Sequence, residues 1–155
     1  MAYLAKTGAI RRLSHGVYGK DNYNPLELAN KLYTPSYVSL ETVLRQAGVI
    51  FQYYEKIFSV SYLTRSVDVS GHTFQYRQAN KRILLDKRGL AENEIVAIAT
   101  PERAFLDAVY LYKEYHFDNL SGLDWEKVIS LQSLYESKVL EKRVKEYHRI
   151  YRGEN

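Results

Sequence analysis

The stretch SYVSLETVLRQAGVI, residues 36–50, changes its periodicity halfway along, and that change decides the fold class. Pro35 disfavours helical geometry in the residue before it, so Ser36-Tyr37-Val38 reads as a short extended entry. Ser39 stands at a cap position, and Leu40, Val43, Leu44 and Ala47 then recur at helical spacing. Gly48 ends that helix, because a left-handed terminal residue costs least without a Cβ. A strand therefore runs straight into a helix.

Upstream, Asn24-Pro25-Leu26-Glu27 is a helix start, with Asn24 as cap, Pro25 in the first turn and Glu27 completing a capping box. That helix runs to about Leu32, and Thr34-Pro35 stops it. Downstream, from Lys56, the pattern alternates, with Phe58, Val60 and Tyr62 facing one way. Val67-Asp68-Val69, a Ser70-Gly71 turn and residues 73–77 read as a hairpin. Ile83-Leu84-Leu85 and residues 95–99 read as two further strands. Thr100 caps the next helix, with Pro101 at its first position and Phe105, Ala108, Val109 and Tyr112 as its stripe. Residues 118–122 form a loop, and Asp124 caps a helix through Val128, Ile129 and Leu131. A last, highly charged helix covers residues 136–151, with Val139, Leu140, Val144, Tyr147 and Tyr151 inward. The class is α+β: a mixed or antiparallel sheet flanked by helices, closed by C-terminal helices.

The 155 residues fit one domain with a small appendage, and 46% hydrophobic with 26% charged content is ordinary for a globular chain. No apolar run reaches membrane length, no leader pattern opens the chain, and there are no cysteines. A disulfide framework and a thiolate metal site are thereby excluded, and a cytoplasmic setting is expected. The formal charge is +4 and unevenly spread. Residues 1–20 carry Lys6, Arg11, Arg12 and Lys20 with no acid, and residues 77–88 carry Arg77, Lys81, Arg82, Lys87 and Arg88 against Asp86. Such clustering suits a polyanion, and it equally suits solvated loop and strand charges. Most of the 15 tyrosines belong to a core rim, and a minority to partner contacts.

Near the start, GAIRRLSHGVYG, residues 8–19, reads as two short strands around a basic, glycine-turned tip. That is the look of a winged-helix wing, so residues 1–20 are taken as a remnant winged helix and residues 21–155 as the main body. Lys6, Arg11, Arg12, His15 and Lys20 are the candidate DNA contacts. Phosphate contact and a terminal hairpin with solvated arginines both fit them. Residues 1–6 hold at most the tail of a recognition helix, so the first two helices of a reader are expected to be missing. In that case the hairpin strands would serve to close a sheet edge.

Catalytic patterns are scarce. His15, His72, His116 and His148 show no ligand spacing, and there is neither a glycine-rich phosphate loop nor a GxSxG elbow. No metal or other cofactor is implied. Glu41, Asp68, Gln75 and Arg77 echo a metal-dependent nuclease, but Gln75 brings no charge and Arg77 replaces the customary lysine. An ordinary hairpin explains them better. In ATPER, residues 99–103, Glu102 complements the helix end and Arg103 pairs with Asp107 one turn on. That makes the stretch structural, with Arg103 or Asp107 as interface candidates.

Three stretches together carry a resemblance: GAIRRLSHGVYG; SYVSLETVLRQAGVI; and ATPERAFLDAVYLY, residues 99–112. In order and spacing the chain resembles the AbiEi-type antitoxins of bacterial type IV toxin–antitoxin systems, associated with abortive phage infection. The resemblance implies an N-terminal winged helix that represses its own operon and a C-terminal domain that counters a nucleotidyltransferase-like toxin. It implies a non-enzymatic bacterial antitoxin whose partners are the toxin and operator DNA. Arg77, Lys81, Arg82, Arg103, Lys142, Arg143 and Arg149, with a tyrosine-rich sheet face, are the candidate toxin contacts. A repressor of its own operon is the alternative function, and a metal-dependent nuclease the more distant one.

Overall fold

The computed structural model describes residues 11–14, 17–19, 24–92 and 95–153, with side chains for 24–91 and 95–153. Strands β1 (Arg11–Ser14) and β2 (Val17–Gly19) pair antiparallel, with a register slip between Arg12 and Ser14. They form a two-stranded sheet of their own. The hairpin expected from the sequence is therefore present in its backbone, but it does not extend the main sheet. That overturns its role as an edge closure: its hydrogen bonds run from one of its strands to the other.

The body begins with α1 (Pro25–Leu32), where Asn24 accepts the Leu26 amide at 2.9 Å. Then come β3 (Ser36–Val38), α2 (Leu40–Gln46), β4 (Ile57–Ser61), β5 (Arg65–Val69) and β6 (His72–Gln78). The chain continues through α3 (Lys81–Leu85), β7 (Leu90–Glu92), β8 (Ala97–Ala99) and α4 (Pro101–Leu111). A 3-10 turn (Leu120–Gly122), α5 (Trp125–Leu131), a second 3-10 turn (Gln132–Tyr135) and α6 (Lys138–Tyr151) complete it.

Six strands form one mixed sheet in the order β5-β6-β4-β3-β8-β7. The β4/β6 and β3/β8 pairs are parallel, and the other three are antiparallel. Central β4 is covered on both faces, with Phe58, Ser59, Val60 and Ser61 all buried, so it does not alternate as its pattern suggested. Tyr62 lies past its end and is exposed.

Two further expectations are corrected. Ile83-Leu84-Leu85 is helical rather than extended, because the Asn80 side chain accepts the Ile83 amide at 2.9 Å and caps α3. A short apolar run carries no period of its own, so the cap decides. In α6, capped by Ser137, Leu140 and Val144 are buried while Val139 is exposed, since the helical turn rotates it away from the inward stripe. Tyr151 keeps to that stripe and stacks on Trp125 at 5.4 Å, but in the last turn of the helix it stays partly open to solvent.

Helix α4 lies at the centre, packed against α2, α5 and α6, with every residue from Glu102 to Val109 buried. Thr100 caps it and Phe105 meets the rings of Phe117, Trp125 and Tyr147. A helix buried on all sides must satisfy its polar groups internally. Among the described residues no helix is long and apolar enough to cross a membrane.

Candidate functional site

Helices α2 and α4 bring together two buried carboxylates in very different surroundings. Asp107, in α4, accepts hydrogen bonds from Tyr37 Oη (2.9 Å), Ser39 Oγ (2.7 Å) and Tyr135 Oη (2.6 Å). One turn earlier, Arg103 has no solvent exposure at all. Its Nη1 donates to the Asp86 and Arg88 carbonyls, each at 2.6 Å, and its Nη2 to the Ile83 carbonyl (2.8 Å) and Tyr37 Oη (3.1 Å). Its Nε lies 3.9 Å from Asp107 Oδ1, an ion pair without a hydrogen bond. Gly89 sits against this arginine at φ +76, and a Cβ there would lie 3.0 Å from Arg103 Cβ and from Leu131 Cδ1. Only glycine fits.

Burial pushes the Asp107 carboxyl above the usual carboxylate range, against the pull of Arg103 and the three hydroxyls. Burial, and then the charge of Asp107, push the Tyr37 and Tyr135 phenols well up. The hub joins β3, the start of α2, α3, the chain beyond α3, α4 and the turn before α6. The side chains of Tyr37, Ser39, Arg103, Asp107 and Tyr135 are all buried, and the hub acts as a fastening. Ser39 occupies the expected cap position, yet its hydroxyl goes to Asp107 and makes no cap bond. The chain enters α2 through Leu40 at φ +56, a left-handed non-glycine residue costing about 1–3 kcal/mol.

Glu41 follows at once and serves the second site. It is buried, and it accepts from Tyr112 Oη (2.8 Å) and Tyr115 Oη (3.4 Å). The two rings stack at 5.2 Å, and the Arg77 guanidinium lies 4.9 Å from the Tyr112 ring. Burial, reinforced by Glu41, pushes both phenols up, so they remain proton donors at neutral pH. Glu41 also lines a surface cavity of about 400 Å³ together with Arg45, Tyr53, Tyr54, Lys56 and His72, with Glu55 beside them. Tyr53 is 69% exposed, and the Arg45 guanidinium lies 6.0 Å from its ring. Asp118 holds the start of this aromatic loop through the Phe51 amide at 2.8 Å. Such an arrangement offers acceptors, ring faces and cations, which is the equipment of a binding site.

Lys6, His15 and Lys20 lie outside the described residues, and Arg11 and Arg12 are described only as β1 backbone. Arg103 is corrected outright as a partner contact, since it is wholly buried and already bonded. Arg82 donates to the Leu134 and Tyr135 carbonyls and pairs with Glu136 at 2.9 Å. Arg143 donates to the Val109 carbonyl at 3.1 Å, and Arg149 pairs with Glu146 at 3.1 Å. Lys81 and Lys142 are exposed. The charge cluster at residues 77–88 is thus largely spent internally, because Arg88 is chelated by Asp86 as well.

The tyrosine-rich sheet face is not a surface, since Tyr37 and Tyr76 are buried and Tyr76 Oη donates to the Ala29 carbonyl at 2.6 Å. Asp68 is exposed on edge strand β5 and accepts from Thr73 at 2.6 Å, while Glu41 is engaged by the two phenols. Among the described residues no three His, Cys, Asp or Glu side chains are grouped to hold a metal. Sequence reasoning missed the Glu41–Tyr112–Tyr115 cluster and its cavity. A signal existed: Glu41 sits beside the apolar stripe of α2, and two tyrosines stand three apart after α4.

No family model matches the chain, and no curated protein matches it either.

Proposed function

We propose that the protein is an antitoxin resembling the AbiEi type, countering a nucleotidyltransferase-like toxin in the bacterial cytoplasm by binding it or opposing its effect. One observation carries this. The two described stretches that bear the resemblance form one physical object, meeting in the middle of α4 and just past its C-terminal end. Tyr37 and Ser39 from the first stretch hold Asp107 of the second, and Tyr112 of the second holds Glu41 of the first. The distinctive residues join β3 and α2 to α4 beside a surface that carries a cavity. The exposed aromatics Phe51 and Tyr53, with Arg45 alongside, supply the residue types that anchor protein interfaces.

Co-expression with the product of the neighbouring gene tests this. Restored growth under toxin induction, with a complex recovered at micromolar concentration, is the expected outcome. Growth arrest that the intact chain fails to relieve overturns the proposal.

A further inference from the structure

The Glu41 carboxylate has about four acceptor positions, and the phenols of Tyr112 and Tyr115 occupy two. Among the described residues it forms no ion pair. A buried anion with acceptors to spare calls for further donors, and the cavity it lines is where a ligand would bring them.

Three features of that cavity match three parts of one ligand class. A carboxylate with two adjacent acceptors complements two adjacent donors, which guanine presents at N1–H and N2–H. Adenine presents one donor beside an acceptor, so it forms one bond and faces a repulsion. The Tyr53 and Tyr54 rings provide faces for a planar base, a contact worth about 1–3 kcal/mol per base elsewhere. Arg45, on the same face of α2 one turn beyond Glu41, joins Lys56 as a donor for a phosphate. Glu55 shares the cavity and opposes further negative charge, which favours one phosphate over three. The volume, about 400 Å³, lies within the size range of small-molecule sites.

We infer that this cavity binds a guanine mononucleotide, with Glu41 reading the base edge and Arg45 and Lys56 holding the phosphate. The inference stands on the cavity alone and is independent of the antitoxin proposal.

Equilibrium dialysis of the intact chain against GMP, AMP and guanosine tests it. GMP should be retained saturably, and AMP and guanosine each about tenfold or more weakly. Glu41→Gln, of nearly the same shape, should abolish the preference for GMP over AMP. Lys56→Ala should reduce the advantage of GMP over guanosine while leaving the base preference intact, and Tyr53→Ala should weaken both nucleotides. Far-UV circular dichroism reports whether Glu41→Gln folds. If it does not, the exposed Lys56 and Tyr53 variants carry the test. Absence of saturable GMP retention at millimolar concentration, or equal retention of GMP and AMP, overturns the inference, whatever the co-expression assay shows.

Discussion

Asp107 and Glu41 are both buried carboxylates held by tyrosine hydroxyls, and they differ in what completes them. Asp107 has three hydroxyl donors and the Arg103 guanidinium beside it, all sealed from water. Glu41 has two hydroxyl donors, one of them at 3.4 Å, and a cavity alongside. The first set is closed and makes the fold rigid, while the second is open on one side and can take on something else. One chain thus uses the same chemistry, phenol to carboxylate, for fastening and for reception. The deciding variable is whether a cation of the protein's own is supplied.

The most severe way to break the contrast is to remove that cation. Arg103→Met should cost about 3–5 kcal/mol in urea unfolding, because Asp107 is left as an unpaired buried charge and three carbonyls lose their donor. A loss under 1 kcal/mol would mean that the hub is not closed.

Matched hydroxyl deletions sharpen the comparison. Tyr135→Phe removes a 2.6 Å donor to Asp107 and should cost about 1.5–3 kcal/mol. Tyr115→Phe removes a 3.4 Å donor to Glu41, where water can substitute, and should cost under about 1 kcal/mol. Equal costs would erase the distinction between the sites.

A further effect is confined to alkaline pH. Burial raises the native phenols of Tyr37, Tyr76, Tyr112, Tyr115 and Tyr135, whereas the unfolded chain releases its phenolic protons near pH 10. Above that pH the folded state binds more protons, so stability falls as pH rises. Tyr76→Phe deletes one such group and should make the decline shallower by up to about 1.4 kcal/mol per pH unit, read from denaturation midpoints between pH 10 and 12.

Much of the body was legible because caps and periods are local. Asn24, Thr100 and Asp124 cap the helices expected of them, and the Ser70-Gly71 hairpin stands where its turn residues place it. What failed was non-local. The strand assigned to Ile83-Leu84-Leu85 gave way to the Asn80 cap, and Ser39 gave its hydroxyl to a partner 68 positions away. Arg103 read as a surface cation because charge is mostly solvated, and only the three-dimensional placement of the Ile83, Asp86 and Arg88 carbonyls makes a buried guanidinium tenable. The receptor side of Glu41 was hidden for the same reason: its tyrosines follow 71 and 74 positions later.

The reach of the Asp107 fastening along the chain has a consequence for synthesis. It draws on Tyr37 near the front and Tyr135 near the back, so a growing polypeptide cannot complete it until Tyr135 has left the ribosome. Before then the charged pair of α4 must stay hydrated, and the helix destined for the centre cannot be enclosed. The fold therefore closes last around its own middle.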